Sequence, residues 1–401
     1  VPHGGRHYLA MLAAVLVVGL LLAVAFLFAQ VARHAGLPPA GSIVLVGIAA
    51  GGMLPHALQI TLTPQVLALF LPALIFEGAW DLEPGALRRA RRAIVVLAVP
   101  GVALTASVIA AGGVLAGLAV PGALVLGAIL CATDPVAVLA LFRKLDVPVD
   151  LLTIVEGESI ANDGVAVVLL QFVISTSGAV APATYWPVIG HAAYASLAGI
   201  AIGIVLAAFG RRFLRRGQRS WIGIGITLVV AYGAYAAASL IGASGIFASA
   251  AAGIALPALR LERREQQDVE RFWARTALVA NGLVFLLVGL SLQLDRIFHE
   301  PLLLVVTVLA VALSRAALAY GLVPLAHVRV TGPGWRHAIA LAGVRGGLSL
   351  ALVLGLPQEF PDRPAIVDAV FAVVFGTIVV QGWTLAPVLR RIGLRAPEPT
   401  S

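Results

Sequence analysis

The sequence has few charges for its size and almost no sulfur. One cysteine, Cys131, and two methionines occur in 401 residues. A single cysteine excludes an intramolecular disulfide. Only 11% of the residues are charged, less than half of the roughly 25% carried by ordinary soluble domains. A water-facing globular surface is therefore excluded. No His/Cys cluster has the spacing of a zinc site, and the eight histidines lie mainly near ends and loops. The residues after 391 are too few for a soluble C-terminal domain, and none is expected. The first apolar run, from about Tyr8 to Phe28, exceeds the ~7–15 residues of a signal-peptide core. It is expected to be a retained span. The chain opens on Val1, which suits trimming or an unusual initiation codon.

What the chain has in abundance is apolar length. It is 60% hydrophobic with a mean hydropathy of +1.01. Runs of ~20 apolar residues recur from end to end, each long enough to cross a hydrocarbon core of roughly 30 Å. Alternating segments of ~10 residues, the mark of a β-barrel, are missing. The expected class is an all-α polytopic membrane protein of about 13 spans in one membrane domain over 1–401. The spans are expected at 8–29, 38–55, 62–82, 90–119, 121–144, 149–177, 187–210, 220–241, 243–258, 271–294, 301–326, 334–357 and 364–389.

The basic residues orient this array. Nearly all of the 27 Lys and Arg fall in alternate connections, including Arg88, Arg89, Arg91 and Arg92, and Arg143 with Lys144. Only Arg6, Arg296 and Arg363 fall on the other side, and Arg315 and Arg345 fall inside spans. Retention of positive charge on the cytoplasmic side explains the bias. It predicts an N-terminus outside and a C-terminus inside, in an inner cell membrane. The net charge of +8 thus marks topology, not a nucleic-acid surface.

A weak repeat runs through the chain. "GIAAGGMLP" at 47–55 resembles "SAAAGIALP" at 249–257, and "LIFEGAWDL" at 74–82 loosely matches "FLLVGLSLQL" at 285–294. The offset is about seven spans, an odd number, so the second copy is inverted. Spans 1–6 and 8–13 form the halves and span 7 links them. Inverted repeats with broken helices near the midplane characterise secondary transporters. Two spans carry break signals at equivalent places. In "CATDPVAV", Asp134 reads as an N-cap and Pro135 as the first helical residue. In "AGVRGGLSL", two glycines follow Arg345 as at a helix C-terminus. An acid at a helix start and a base at a helix end each offset a local dipole, so Asp134 and Arg345 are expected to compensate two crossed breaks.

Intramembrane charge is costly and needs a reason. At ~1.5 Å rise per residue, Asp163, Asp134, Arg315 and Arg345 all fall near mid-membrane. One shared site is the economical reading. Ser159 and Asp163 are i,i+4 on one helix face, as are Glu158 and Asn162. Hydroxyl, amide and carboxylate oxygens, with Thr133 beside the break, suit a small hard cation. Asp81 and Glu83 read as an ordinary helix end, and Glu156 has no assigned role.

These motifs together resemble a known family. "ATDPVAV" followed by "GESIANDG", with "FEGAWDL" before and "GVRGGLSLAL" after, is similar to the monovalent cation:proton antiporters of the NhaP and sodium/proton exchanger branch. The resemblance implies a core domain from spans 4–6 and 11–13, a dimerisation domain from the remainder, a homodimer and elevator-like alternating access. It implies Asp163 as the carboxylate that binds cation or proton, Thr133 and Ser159 as oxygen donors to the cation, and Asn162 as an ordering residue. Asp134 takes part as a cap with a lesser share as ligand. Glu158 and Arg315 are implied as a structural ion pair, and Glu77 as an access or proton-path residue. An Asn-Asp pair in place of Asp-Asp implies one-for-one, electroneutral exchange of sodium or lithium for protons. Potassium is the alternative cation, and no cofactor beyond the transported ions is expected. An intramembrane aspartyl protease using Asp134 and Asp163 needs two carboxylates sharing a proton, and no GxGD motif surrounds either. A channel is the other rival.

Overall fold

The computed structural model describes residues 19–31, 39–53, 64–145, 147–176, 185–214, 220–257, 263–292, 300–325 and 334–391. The early part of the first expected span and Arg6, Arg33, Arg215, Arg216, Arg219, Arg260, Arg296, Arg329 and Arg395 lie outside these residues. Among the described residues all regular structure is helical.

In chain order the helices are α1 (Gly19–Val31), α2 (Pro39–Gly51), α3 (Pro64–Trp80), α4 (Pro84–Ala98), α5 (Pro100–Leu115), α6 (Val120–Leu130), α7 (Val136–Lys144), α8 (Val149–Thr176) and α9 (Tyr185–Arg211). They continue with α10 (Ser220–Leu240), α11 (Gly245–Ala255), α12 (Arg263–Ser291), α13 (Pro301–Ala316), α14 (Trp335–Leu341), α15 (Gly347–Leu354), α16 (Arg363–Gly376) and α17 (Gly382–Arg391). Among the described residues, seven segments are long and apolar enough to cross a membrane: 84–115, 149–176, 190–211, 220–240, 266–291, 301–325 and 363–380.

Proline shows why an apolar, proline-bearing chain still forms helices. At the starts of α4, α5, α6, α13 and α16 it occupies the first turn, where the missing N–H costs nothing. Pro72 lies instead inside α3. There the hydroxyls of Tyr232 and Ser249 donate to the carbonyls of Leu69 and Pro72 at 3.0 and 3.1 Å. Neighbouring side chains thus serve the backbone where a membrane offers no water.

The fourth span departs from its expected start. It begins at Pro84, not near 90, and bends at the Val99–Pro100 junction. Arg88, Arg89, Arg91 and Arg92 are therefore helical, not in a connection. They form the exposed face of α4 over buried Ala86, Ala90, Ala93, Ile94 and Leu97. Amphipathicity hid the helix, because a sum over hydropathy sees only the arginines.

Packing sorts the helices into two groups. One joins α3, α9, α10, α11 and α12, with α2 on α12. The other joins α4, α5, α6, α8, α13 and α14–α16. Small residues permit close approach within and between them. Gly253 of α11 lies against the backbone of Phe76 and Trp80, and Gly164 of α8 against the ring of Phe247 on α11. A seam of Ile75, Ala79, Val102, Cys131, Ala132, Ala166, Ile246, Ala250 and Leu348 joins the groups near two interrupted helices.

Candidate functional site

The fifth and twelfth expected spans are each two short helices with a non-helical stretch between: α6 and α7 around 131–135, α14 and α15 around 342–346. The two stretches meet. The Asp134 amide donates to the Val344 carbonyl at 2.8 Å. The Ser349 hydroxyl donates to the Ile129 carbonyl at 3.0 Å. A Cβ at Gly346 would overlap the Asp134 carboxylate, so only glycine lets the acid lie against the start of α15.

Two details of the breaks differ from the sequence expectation. Helix α7 opens at Val136, not Pro135, and Asp134 Oδ1 accepts from the Val136 amide at 3.1 Å. The acid still meets the positive helix start. The two glycines after Arg345 open α15; they do not close α14, which ends at Leu341. Arg345 is fully buried and its Nη1 donates to the Ala132 carbonyl at 3.3 Å, just past the end of α6. The base thus faces the end of the other broken helix, a long-range pairing that no local motif displays. Its backbone amide donates to Thr377 Oγ1 at 3.1 Å. Thr377 heads a π-helical segment, Thr377–Gln381, and another, Ala317–Leu322, follows directly on α13, which carries Arg315. π-Bulges recur at functional sites, and neither was signalled by a sequence motif.

Helix α8 runs beside the first break and presents its polar residues to it. The Ser159 hydroxyl donates to the Thr133 carbonyl at 2.5 Å. Asn162 Nδ2 donates to Glu158 Oε1 at 3.2 Å and approaches Thr133 Oγ1 at 3.5 Å. Glu158 Oε1 lies 2.6 Å from Arg315 Nη1, and both side chains are buried. Arg315 Nη2 donates to the Ile339 carbonyl of α14 at 2.5 Å, and Gly343 leaves room for its stem. Asp163 is half-buried beside the Thr133 backbone. Its Oδ1 is buried and accepts no hydrogen bond from the described residues, and neither does Asn162 Oδ1.

Thr133, Ser159, Asn162 and Asp163 are thus brought around one break, and Asp134 and Arg345 around the junction of both. The free oxygens are acceptors, the donor type a small monovalent cation or a proton requires. Glu77 is placed elsewhere. It is half-buried on α3, in the field of Asp81 and Arg143. Asp81, read from sequence as an ordinary helix end, pairs with Arg143 at 2.8 Å. Glu156 is buried and lies 3.9 Å from the same guanidinium. Sequence reasoning assigned Arg143 to topology alone. Nothing in the local pattern shows that α3 and α7 meet there.

The family model for the transmembrane region of the sodium/hydrogen exchangers matches residues 17–391. The chain is 33% identical over 366 residues to the Na(+)/H(+) antiporter ApNhaP of Aphanothece halophytica, covering 88% of this chain and 70% of that protein. It is 33% identical over 387 residues to the Na(+)/H(+) antiporter NhaS2 of Synechocystis sp., covering 95% and 71%. The structure of the sodium proton antiporter MjNhaP1 from Methanocaldococcus jannaschii superposes with a TM-score of 0.72 over 95% of this chain and 97% of that one. At 18% identity this likeness concerns the fold.

Proposed function

Because the chain belongs to the sodium/hydrogen exchanger family, a family of membrane transporters, we propose that it exchanges sodium ions for protons across a cell membrane through Asp163. The observation that carries this reading is a carboxylate oxygen, Asp163 Oδ1, buried with no hydrogen-bond partner among the described residues, as is the side-chain carbonyl oxygen of Asn162. The buried acid five residues before it, Glu158, is engaged at Oε1 by both Arg315 and Asn162. An unpartnered carboxylate inside a membrane protein costs free energy unless something transient neutralises it. A proton or a monovalent cation does so equally well, and the two exclude each other. That exclusion is the coupling.

Thr133 and Ser159 supply further oxygens, and Asn162 is held in place by Glu158. Asp134 and Arg345 offset the charge of the broken-helix ends. With one exchangeable carboxylate the stoichiometry is one cation for one proton, and lithium follows sodium. Alternating access comes from the group of helices that carries the crossed breaks moving against the α3/α9–α12 group, which also supplies the homodimer contact. The N-terminus is outside and the C-terminus in the cytoplasm of an inner membrane.

The test is purified protein in liposomes with an internal pH dye. Sodium gradients should drive proton flux in the opposite direction with no dependence on membrane potential. Separate titrations of lithium, sodium and potassium rank the cations. A current without counter-flux of protons identifies a channel and overturns the reading.

A further inference from the structure

An ionic group apart from the candidate site lies where the two packed groups touch. Arg143 is in the last turn of α7, on the side that carries the breaks. Asp81 follows the last residue of α3, and α3 packs chiefly on α11 and α12. One guanidinium nitrogen of Arg143 is 2.8 Å from Asp81 Oδ2 and 3.9 Å from Glu156 Oε1. Glu156 in turn rests on Gly78 of α3. It precedes Asp163 by two helical turns, roughly 10 Å along the same face of α8.

We propose that Arg143 is a releasable latch, a tethered counter-ion that fixes α7 and α8 to the end of α3 in one transport state and lets go in the other. The proposal rests on the exchange reading above. Burial separates the roles of the two acids. Side-chain exposure is 48% for Arg143 and 33% for Asp81, but 8% for Glu156. A solvent-facing pair is weak and opens readily. A buried carboxylate needs a cation wherever the helix goes. Helix α7, which carries Arg143, packs on α8, which carries Glu156, so the two travel together, while Asp81 lies at the end of α3 in the other group. The Arg143–Asp81 contact is the one that relative motion breaks. When it opens, Asp81, Glu77 and, on α12, Glu270 are left as an acidic mouth, which favours cation approach.

The experiment places Asp81→Cys and Arg143→Cys in a Cys131→Ala background, reconstituted in liposomes, and bridges the pair with a reducible bis-methanethiosulfonate reagent whose spacer takes the place of the arginine stem, since a direct disulfide needs Cα atoms within about 7 Å. Sodium-driven proton flux should fall at least tenfold on cross-linking and return with reductant. Full cross-linking without loss of flux overturns the latch, and so does failure to cross-link. A second arm does not depend on the cysteine pair. Asp81→Asn and Arg143→Gln should each shift the half-saturating sodium concentration threefold or more, in the same direction. The double substitution should shift it no further, and Arg143→Lys should stay near wild type. Additive effects, or none, overturn the latch. Absence of flux in the unmodified protein is a separate result, and it overturns the exchange reading itself.

Discussion

Two carboxylates on α8, Glu158 and Asp163, stand little more than a turn apart. Glu158 is closed at Oε1, which takes both Arg315 at 2.6 Å and Asn162 at 3.2 Å. Asp163 is open: Oδ1 is buried with no donor among the described residues. One stretch of α8 therefore holds one acid paired across helices and one with an oxygen left without a donor among the described residues. Burial alone does not make an acid functional; what matters is whether the chain itself supplies the counter-charge.

The comparison is broken most sharply at its open end. Asp163→Asn should abolish sodium-dependent proton flux in liposomes, while the purified protein keeps its melting temperature. Retained flux would move the exchange site elsewhere. The closed end should behave in the opposite sense. Glu158→Gln leaves Arg315 buried without its carboxylate, a loss of about 3–5 kcal/mol by analogy with other broken buried pairs. It should lower the melting temperature clearly. Replacing both partners by apolar residues, Glu158→Leu with Arg315→Met, should recover much of that loss. Equal melting temperatures for wild type and Glu158→Gln would show that the pair fastens nothing.

The junction of the breaks should respond less, and in both properties. Gly346→Ala pushes a methyl into the Asp134 carboxylate, and overpacking of this kind costs about 1–3 kcal/mol. Flux and melting temperature should fall together. The smallest effect is expected of Thr377→Val. It removes the acceptor of the Arg345 amide, worth about 1 kcal/mol, and should lower the melting temperature by only about a degree in a chain of this length.

Much of this was legible in the sequence because membrane helices leave strong signals. Long apolar runs give spans, and Asp134-Pro135 gives a break. The polar residues that α8 gathers beside the break were readable from i,i+4 spacing, since Ser159, Asp163, Glu158 and Asn162 share one helix. The start of α4 was lost because four arginines on its exposed face depress the local hydropathy. The partner of Arg345 was lost because Ala132 is two hundred residues away and offers only a backbone carbonyl. Asp81, Arg143 and Glu156 were each assigned a local role or none. Their meeting is a property of how α3, α7 and α8 pack. The two π-helical segments carry no motif at all; they become meaningful only beside Arg315 and Arg345.

The most direct measurement of the central idea is the half-saturating sodium concentration for proton flux, taken in liposomes across a wide pH range. Competition for one carboxylate requires a plateau in alkali. In acid it requires a rise of about tenfold per pH unit, because each bound cation displaces one proton. Asp163→Glu, if active, should shift the bend along the pH axis without changing the limiting slope. A half-saturating concentration that stays constant from acid to alkali would contradict shared binding at Asp163.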